Sequence, residues 1–568
     1  MASTYYESLS REGKILVNEA MEVMRPRYDE KVHLMGFRMK GKAHYHARGT
    51  MYYALGLMLL DEPGCAQEVE AICEAVAATQ YDTPGEIFHG SFDKQSRPPC
   101  PEGVLDYQRL GLYGRYYMDV FYERMVDAFR LRLADDPALA AHAAAIERHL
   151  NLSVVETQPL VWTNYEPNSR EFVLMCYAML LEHFSDKLSE KCIRTIERSS
   201  RIGMEGAIVR SKTNFSPLNT NIQCMHVFLL DYFGVRFGMP EYCAYALEYA
   251  ERMTAKYLEY HGAAEYNSPT YCGVDLATLG FWSRYGSNER LRELGLTLEI
   301  GIWEDMLTFY NPAMMNFCGP YSRAYELEMG LHTNYHAMLY WALGSVKFPL
   351  HPVTSESTNN PLMVFGAIHL PENVEEALHA PKEDVVIRRQ FRELSERGDP
   401  DSNDALCTAT AWITPRLMAG ALAGSENPSY QLHPLVVFWQ GEKGLGTIKV
   451  LRSTPDGDMQ HMHTVLFNGV CDREHLTLDV DFRVNRDVKL YFEIEYPGVC
   501  GEAEITADCW RLPGLSIAMK NQAPDFFLEE KKEGNILKVC FMSRARVPET
   551  KQMHFDLHLA LAKEACRS

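Results

Sequence analysis

The sequence predicts a helical half followed by a β half: an (α/α)6-type toroid leading into an antiparallel β-sandwich. Three observations predict it. Apolar residues recur at helical spacing from the start to about Phe348. Polar loops built on Asn and Pro return at nearly constant intervals within that half. Beyond residue 385 the periodicity changes to short β-rich runs separated by Gly, Asp, Asn and Pro.

In the first half, Glu171–His183, Asn221–Phe233, Tyr242–Tyr260, Asp275–Arg284 and Leu291–Phe309 read as helices. Four of the loops between them share one chemistry: TNYEPNSR with Asn164, TNFSPLNTN with Asn214, EYNSPTY with Asn267 and NFCGPYSRAY with Asn316. The intervals from Asn to Asn are 50, 53 and 49 residues, the length of one antiparallel helix pair with its two loops. Two earlier polar loops, around His44–Arg48 and Asp93–Gly103, bring the count to about six pairs. Equal spacing puts every second loop on one rim of a ring. Capping alone explains part of each loop, since Ser268-Pro269 and Ser216-Pro217 have the order of an N-cap followed by a first helical Pro. It does not explain the added Tyr, Glu and Arg side chains, whose gathering on one rim predicts a cleft.

In the second half, Ala405–Ile413, Leu435–Trp439, Gly446–Val450, His463–Phe467, Leu476–Phe482, Val488–Ile494 and Ile536–Met542 read as strands. The expected domains are therefore a catalytic toroid over 1–348, a linker over 349–384 and a β-sandwich over 385–568.

Composition narrows the function. The 568 residues carry 76 acidic and 56 basic side chains, a formal charge of −20, which argues against nonspecific nucleic-acid binding. No run of about 18 uncharged apolar residues occurs to span a membrane. Charges at Glu7, Arg11, Glu12 and Lys14 occupy the place of a signal-peptide core. With 15 cysteines, an odd number without any CxxC pair, buried thiols and a cytoplasmic location are the expectation. Neither phosphate-binding, HExxH nor GxSxG motifs occur. His461 and His463 in QHMHTV share a strand face, but no third ligand accompanies them, so neither metal nor cofactor is expected.

The rim loops supply Tyr165, Glu166, Arg170, Asn219, Asn221, Glu265, Tyr266, Asn267, Tyr271, Tyr321, Arg323, Tyr325 and Glu326, with His332 on the next helix. Tyrosine rings stack on the apolar faces of pyranoses while amides and carboxylates share hydroxyl hydrogen bonds. An arginine adds the means to meet a carboxylate bidentately, which a neutral sugar does not require.

This plan resembles the polysaccharide lyases of the heparinase II/III and alginate-lyase type, a likeness of architecture over nearly the whole chain. The resemblance implies β-elimination on a uronate-containing oligosaccharide or polysaccharide. In those enzymes an Asn, His or Arg neutralises the uronate carboxylate, and a Tyr takes the C5 proton and protonates the leaving O4. The positions here that match those roles are Asn267 and Asn221 for neutralisation, Tyr271 or Tyr325 for the base and acid, and Arg323 for activation or carboxylate pairing, with His332 secondary. Substrate contacts are expected from Asn164, Glu166, Asn219, Asn221, Glu265, Tyr266, Tyr321 and His226; the last, inside CMHVFLL, also has the setting of a packed core histidine. No Asn-His dipeptide, common in such lyases, occurs on these loops.

The chemistry stands without the resemblance. Removing a proton alpha to a carboxylate builds an enolate dianion, which needs preorganised donors. A tyrosine with a pKa near 10 needs a neighbouring cation to act as a base at neutral pH, and Arg323 lies two residues from both Tyr321 and Tyr325. Two other readings fit the same loops. Glu166 and Glu265 have the makings of the carboxylate pair of an inverting glycoside hydrolase, and the aromatics suit a non-catalytic carbohydrate-binding protein. A buried Tyr–Arg contact separates the lyase from the binding protein. The sequence leaves open monomer or homo-oligomer.

Overall fold

The computed structural model describes residues 3–39, 42–84, 88–93, 165–213, 219–329, 334–344, 360–394, 404–427, 429–457, 465–483, 487–520, 525–544 and 547–562. The chain is helical in its first part and built of antiparallel sheets in its last. It divides into two compact units: Met1–Met253 with Gly273–Thr297 and Gly330–His369, and Thr254–Cys272 with Leu298–Met329 and Leu370–Ser568.

The first unit holds two kinds of helix. α1 (Thr4–Ser8) and α2 (Arg11–Met24) open it, each capped by a serine: Ser3 accepts from Tyr6 N and Ser10 from Gly13 N. A three-stranded sheet follows, β1 (Tyr28–Asp29), β2 (Leu34–Met39) and β3 (Lys42–Tyr45). α3 (Ala47–Leu60) is buried almost all round, whereas α4 (Cys65–Ala77) buries one stripe, Cys65, Val69, Ile72, Cys73 and Val76. The short hairpin of β4 (Phe92–Asp93) and β5 (Tyr165–Glu166) leads to α5 (Ser169–His183), buried from Arg170 to Leu181. α6 (Glu190–Thr213) is amphipathic and α7 (Thr220–Phe237) is again buried over most of its faces, ending at Gly238 with φ 66°. α8 (Pro240–Tyr260) and α10 (Glu289–Phe309) are amphipathic; α9 (Cys272–Tyr285) is mainly buried, and α11 (Asn334–Leu343) is buried from Asn334 to Tyr340. Within this unit α2 packs on α3, α3 on α4 and α5, and α5 on α6 and α7. Trp282 of α9 donates its indole N–H to Cys224 O of α7 at 2.8 Å. At Gly273, at the start of α9, a Cβ would sit 2.3 Å from Tyr335 N of α11, and α11 packs on α2.

The second unit is dominated by two sheets. The eight-stranded one runs in the order β19 (Phe526–Lys531), β20 (Ile536–Ser543), β15 (Val488–Glu495), β12 (Gly444–Ser453), β11 (Leu435–Gly441), β10 (Leu417–Ala423), β9 (Asp404–Ile413) and β8 (Val385–Leu394). The six-stranded one runs β13 (Val465–Asp472), β14 (His475–Phe482), β21 (Gln552–Leu561), β18 (Leu515–Met519), β17 (Cys509–Leu512) and β16 (Glu504–Ile505). Every pairing in both is antiparallel. Alternate burial along β13 and β14 is the period of two that the sequence shows. The sheets meet through aromatic rings: Phe492 of β15 and Phe541 of β20 lie 5.1 and 5.0 Å from Phe555 of β21, all edge to face. The same unit carries the short hairpin of β6 (Tyr310–Asn311) and β7 (Asn316–Phe317), and the segments around Tyr266 and Tyr321.

Among the described residues no helix is long and apolar enough to cross a membrane, no group of three His, Cys, Asp or Glu side chains could hold a metal ion, and the cysteines are free. Asn164, Asn214, His332, His461 and His463 lie outside the described residues.

Candidate functional site

Three stretches of the second unit converge. The turn from Glu265 to Tyr271 is shaped by Asn267, whose φ of 49° is a left-handed conformation that Asn tolerates better than most residues. Ser268 caps the turn leading into α9 by accepting from Tyr271 N at 3.1 Å, and donates its hydroxyl to Arg323 O at 2.5 Å. The segment Tyr321–Tyr325 is fixed on the other side by the loop between β10 and β11. Tyr321 and His433 exchange backbone hydrogen bonds, Ala324 N donates to Gln431 O at 2.9 Å, and Asn427 Nδ2 donates to Ser322 O at 3.0 Å. Thr270 Oγ1 accepts from Tyr325 N at 3.0 Å.

The centre of this meeting is Arg323. Nη1 donates to Glu265 Oε1 at 2.7 Å and Nε to Gln431 Oε1 at 2.6 Å, with both ends of the ion pair buried. The guanidinium lies over the Tyr271 ring, 4.3 Å from its centroid. Tyr271 also donates to Gln431 Oε1 at 3.2 Å. The Tyr325 ring stands 6.0 Å from that of Tyr271 and is 39% exposed. Burial holds the Tyr271 hydroxyl well above its ordinary value; Arg323 pulls it down, while Tyr325 and Glu265 push it up. Tyr430, half-buried beside them, is pushed up to about 12, chiefly by burial and then by Tyr325, while Gln431 and Arg323 lower it. His433 Nε2 donates to Ala324 O at 3.1 Å, and the ring is pushed down to about 3, chiefly by burial.

The remaining candidates are placed differently from the sequence expectation. Both amide hydrogens of Asn267 are spent, on Cys318 O at 2.7 Å and Pro320 O at 3.0 Å, so it braces the loop and has none left for a substrate carboxylate. Tyr266 is 1% exposed, stacks on Phe391 at 4.2 Å and donates to Asp305; Tyr321 is fully buried and donates to Phe317 O at 2.6 Å. These two rings are core, not sugar platforms, because a loop residue's facing depends on register that composition does not reveal. Glu265 is committed to Arg323.

In the first unit, Glu166 lies in β5 and accepts from Asn168 N at 2.9 Å at the entry to α5. Asn219 occupies the N-cap position of α7 and Asn221 its first turn, both buried. His226 is a packed core histidine: it is fully buried, edge-on to Tyr249 at 5.6 Å, and pushed down to about 3 by burial and then by Arg170 and Arg210. Close by, Glu171 lies between the Nη1 atoms of Arg170 and Arg210 at 3.9 and 3.7 Å.

Gln431 and Tyr430 are absent from the sequence candidates. Their loop reads ENPSYQLHP, the same Asn-Pro, Tyr and amide vocabulary as the helical loops. It sits in the β half, between two strands rather than between helices.

The family model described as "Domain of unknown function (DUF8769)" matches residues 14–117 and 151–360, more than half of the chain. The chain belongs to this family. The DUF8769 match takes in Tyr271, Arg323 and Tyr325 and ends before Tyr430 and Gln431. No curated protein matches the sequence. Among solved structures, the chain is similar to a heparinase III gene product, at 11% identity and a TM-score of 0.31, over 87% of this chain and 84% of that one. It is similar to the heparan sulfate lyase HepC from Pedobacter heparinus, at 10% identity and a TM-score of 0.27, over 88% and 89% of the two chains. It is also similar to the chondroitin AC lyase of Streptomyces coelicolor A3 in complex with chondroitin sulphate, at 11% identity and a TM-score of 0.27, over 97% and 100%.

Proposed function

We propose that this DUF8769 protein is a lyase that cleaves a uronate-containing saccharide by β-elimination, with residues 1–348 forming an (α/α)6-type toroid and 385–568 the β-sandwich. The toroid reading is supported by the alternation of largely buried helices (α3, α5, α7, α11) with one-face amphipathic ones (α4, α6, α8), and by α11 packing back on α2. The observation that carries the chemistry is the buried Arg323 guanidinium over Tyr271, next to an exposed Tyr325. A protein that only binds sugars needs the aromatic rings but no buried cation behind them.

Tyr325 is the base in this reading, because its ring reaches solvent whereas the Tyr271 hydroxyl is turned to Gln431. As a phenolate it takes the C5 proton; the electrons of the C5–H bond pass through the enolate into a C4–C5 double bond as the C4–O4 bond breaks. The same proton then returns from the Tyr325 hydroxyl to O4. Arg323 supplies positive charge at the site, and Glu265 and Gln431 fix its orientation. That engagement removes Glu265 from the acid/base pair a hydrolase would need.

The test is incubation with a panel of uronate oligosaccharides, following the ultraviolet absorbance of a C4–C5 unsaturated uronate. The expected result is absorbance growing in step with new reducing ends. Reducing ends without absorbance would make the enzyme a hydrolase, and neither signal with measurable binding would make it a sugar-binding protein.

A further inference from the structure

The first unit carries a concave surface that shares no residue with the Arg323 group. It is an open groove of about 640 Å³, lined by the turn that joins β1 to β2 and by β2 and β3 themselves, within the range of about 300–1,000 Å³ common to ligand clefts. The register fixes which side chains share a face. Asp29 pairs with Leu34 and Gly36 with Tyr45, so the pleat places Asp29, Gly36, Ala43 and Tyr45 on one side of the three-stranded sheet. There Tyr45 is a fixed aromatic plate. Its hydroxyl donates to Asp29 Oδ2 at 2.6 Å, and a Cβ at Gly36 would come 2.7 Å from its Cδ1, so the glycine lets the ring lie against β2. Ala43, on the same face two residues before, is small and exposed and leaves room beside the ring. The turn is held as firmly. Asp29 Oδ1 accepts from Lys31 N at 3.1 Å, and Asp29 O from Val32 N at 3.2 Å. His33 follows with φ 55°, a left-handed conformation that few non-glycine residues adopt, and its Nδ1 is tied to Glu68 Oε1 of α4 at 2.8 Å. Tyr28, which also lines the groove, donates to the same carboxylate.

We propose that this groove binds an acidic saccharide, with a pyranose stacked on Tyr45 beside Ala43, its carboxylate turned to Arg27 and Lys31, and its hydroxyls shared with Glu30. The groove by itself points to a saccharide; that the sugar is a uronate rests on the lyase reading. Arg27 and Lys31 line the groove with cationic donors and Glu30 with an acceptor, and Phe37, 53% exposed, adds a second ring. A pyranose offers an apolar face to an aromatic ring and a rim of hydroxyls that both donate and accept, so it satisfies side chains of either sign. A phosphate-dense ligand would instead meet Asp29 and Glu30 in a chain whose formal charge is −20. An apolar partner would have to strip water from the charged side chains on both sides of the groove. The pinned ring and the braced turn mean that little ordering remains to be done when the sugar arrives, which favours binding.

The experiment uses the full-length chain carrying Tyr325→Phe, so that the sugar is not consumed. The probes are tetrasaccharides containing glucuronate, iduronate, mannuronate or galacturonate, and a neutral tetrasaccharide of N-acetylglucosamine, each with a photoactivated diazirine at its reducing end. Crosslinked peptides are mapped by mass spectrometry over a range of probe concentrations. Three further substitutions are compared: Ala43→Gln, which fills the space beside the ring; Ala43→Glu, which fills it and adds a like charge; and Tyr45→Leu, which removes the ring. Ala43 is exposed, so its two variants keep the fold even if Tyr45→Leu does not. The expected result is that a uronate tetrasaccharide labels residues 26–45 and the neutral one labels them far less. Ala43→Gln and Tyr45→Leu should each weaken that labelling about tenfold, and Ala43→Glu further. Absence of label from 26–45 with every uronate probe, or labelling unchanged in both Ala43 variants, overturns the proposal. Equal labelling by the neutral probe overturns the assignment of an acidic sugar. Labelling of 26–45 that responds to the Ala43 variants, in a chain whose unmodified form yields no unsaturated product from the same sugars, upholds the groove and overturns the lyase reading alone.

Discussion

The guanidinium of Arg323 lies 4.3 Å from the centroid of the Tyr271 ring and is gripped from two further sides, by Glu265 at 2.7 Å and Gln431 at 2.6 Å. A cation held this way cannot swing out to follow a ligand. Its charge acts instead on the phenols beside it, at low local dielectric and with no reorganisation to undergo when a phenolate forms.

Removing one partner of the buried Arg323–Glu265 pair should therefore be costly. Arg323→Met leaves the Glu265 carboxylate buried without its cation and is expected to destabilise by about 3–5 kcal/mol. Arg323→Met combined with Glu265→Gln should recover much of that. Urea unfolding of the two variants and the unmodified chain is the check, and a double variant no more stable than the single one would contradict the account.

The segment carrying Tyr321–Tyr325 depends on a backbone contact. In β10, a Cβ at Gly420 would come 1.9 Å from Gly319 O, and backbone cannot give way as a side chain can. Gly420→Ala is expected to cost about 2 kcal/mol or more and to displace the 319–325 segment. Its unfolding midpoint should fall; a variant of full stability would show that the approach is not tight.

Two titratable groups pull stability in opposite directions with pH. Burial lowers His226 to about 3 in the fold, so the unfolded chain binds a proton first. The stability of the neutral ring is present above about pH 6.5 and is lost as pH falls. His226→Phe should flatten the acid side of the stability curve.

For Asp305 the sign is reversed. Burial raises it to about 7, against the lowering effects of Tyr266 and Arg389, so the folded chain holds the proton longer. Stability from the neutral acid is full below about pH 4 and declines as pH rises towards 7. Asp305→Asn keeps an oxygen for the Tyr266 hydroxyl and should gain stability relative to the parent above neutrality. Denaturant midpoints across the pH range check both variants, and parallel curves would contradict both assignments.

Much of this was legible in the sequence, and the reasons it stops are physical. Helical spacing in the first half and period-two runs such as Val465–Asp472 and His475–Phe482 mark elements because one face of each is buried. The loops around Asn267 and Arg323 could be paired because they share a chemistry, and the fold brings Ser268 and Arg323 into contact. What composition cannot tell is which loop residues face inward. Tyr266 and Tyr321 read like Tyr271 and Tyr325, yet the first two are buried against Phe391 and Phe317. Asn267 looked like a ligand donor, but its left-handed turn aims both hydrogens at loop carbonyls. Gln431 and Tyr430 come from a strand connection more than a hundred residues after Arg323, and only the tertiary fold reveals that the loop between β10 and β11 lies against 321–325.

The central claim, that an exposed tyrosine beside a buried arginine removes the C5 proton, is tested most directly by Tyr325→Phe assayed on a uronate oligosaccharide that the unmodified chain converts. The substitution removes one oxygen from a ring that is already 39% exposed, so folding and substrate binding should persist. The expected result is a hundred- to ten-thousandfold lower kcat, with KM near that of the parent. Unsaturated product formed by Tyr325→Phe at the parent's rate would contradict the account.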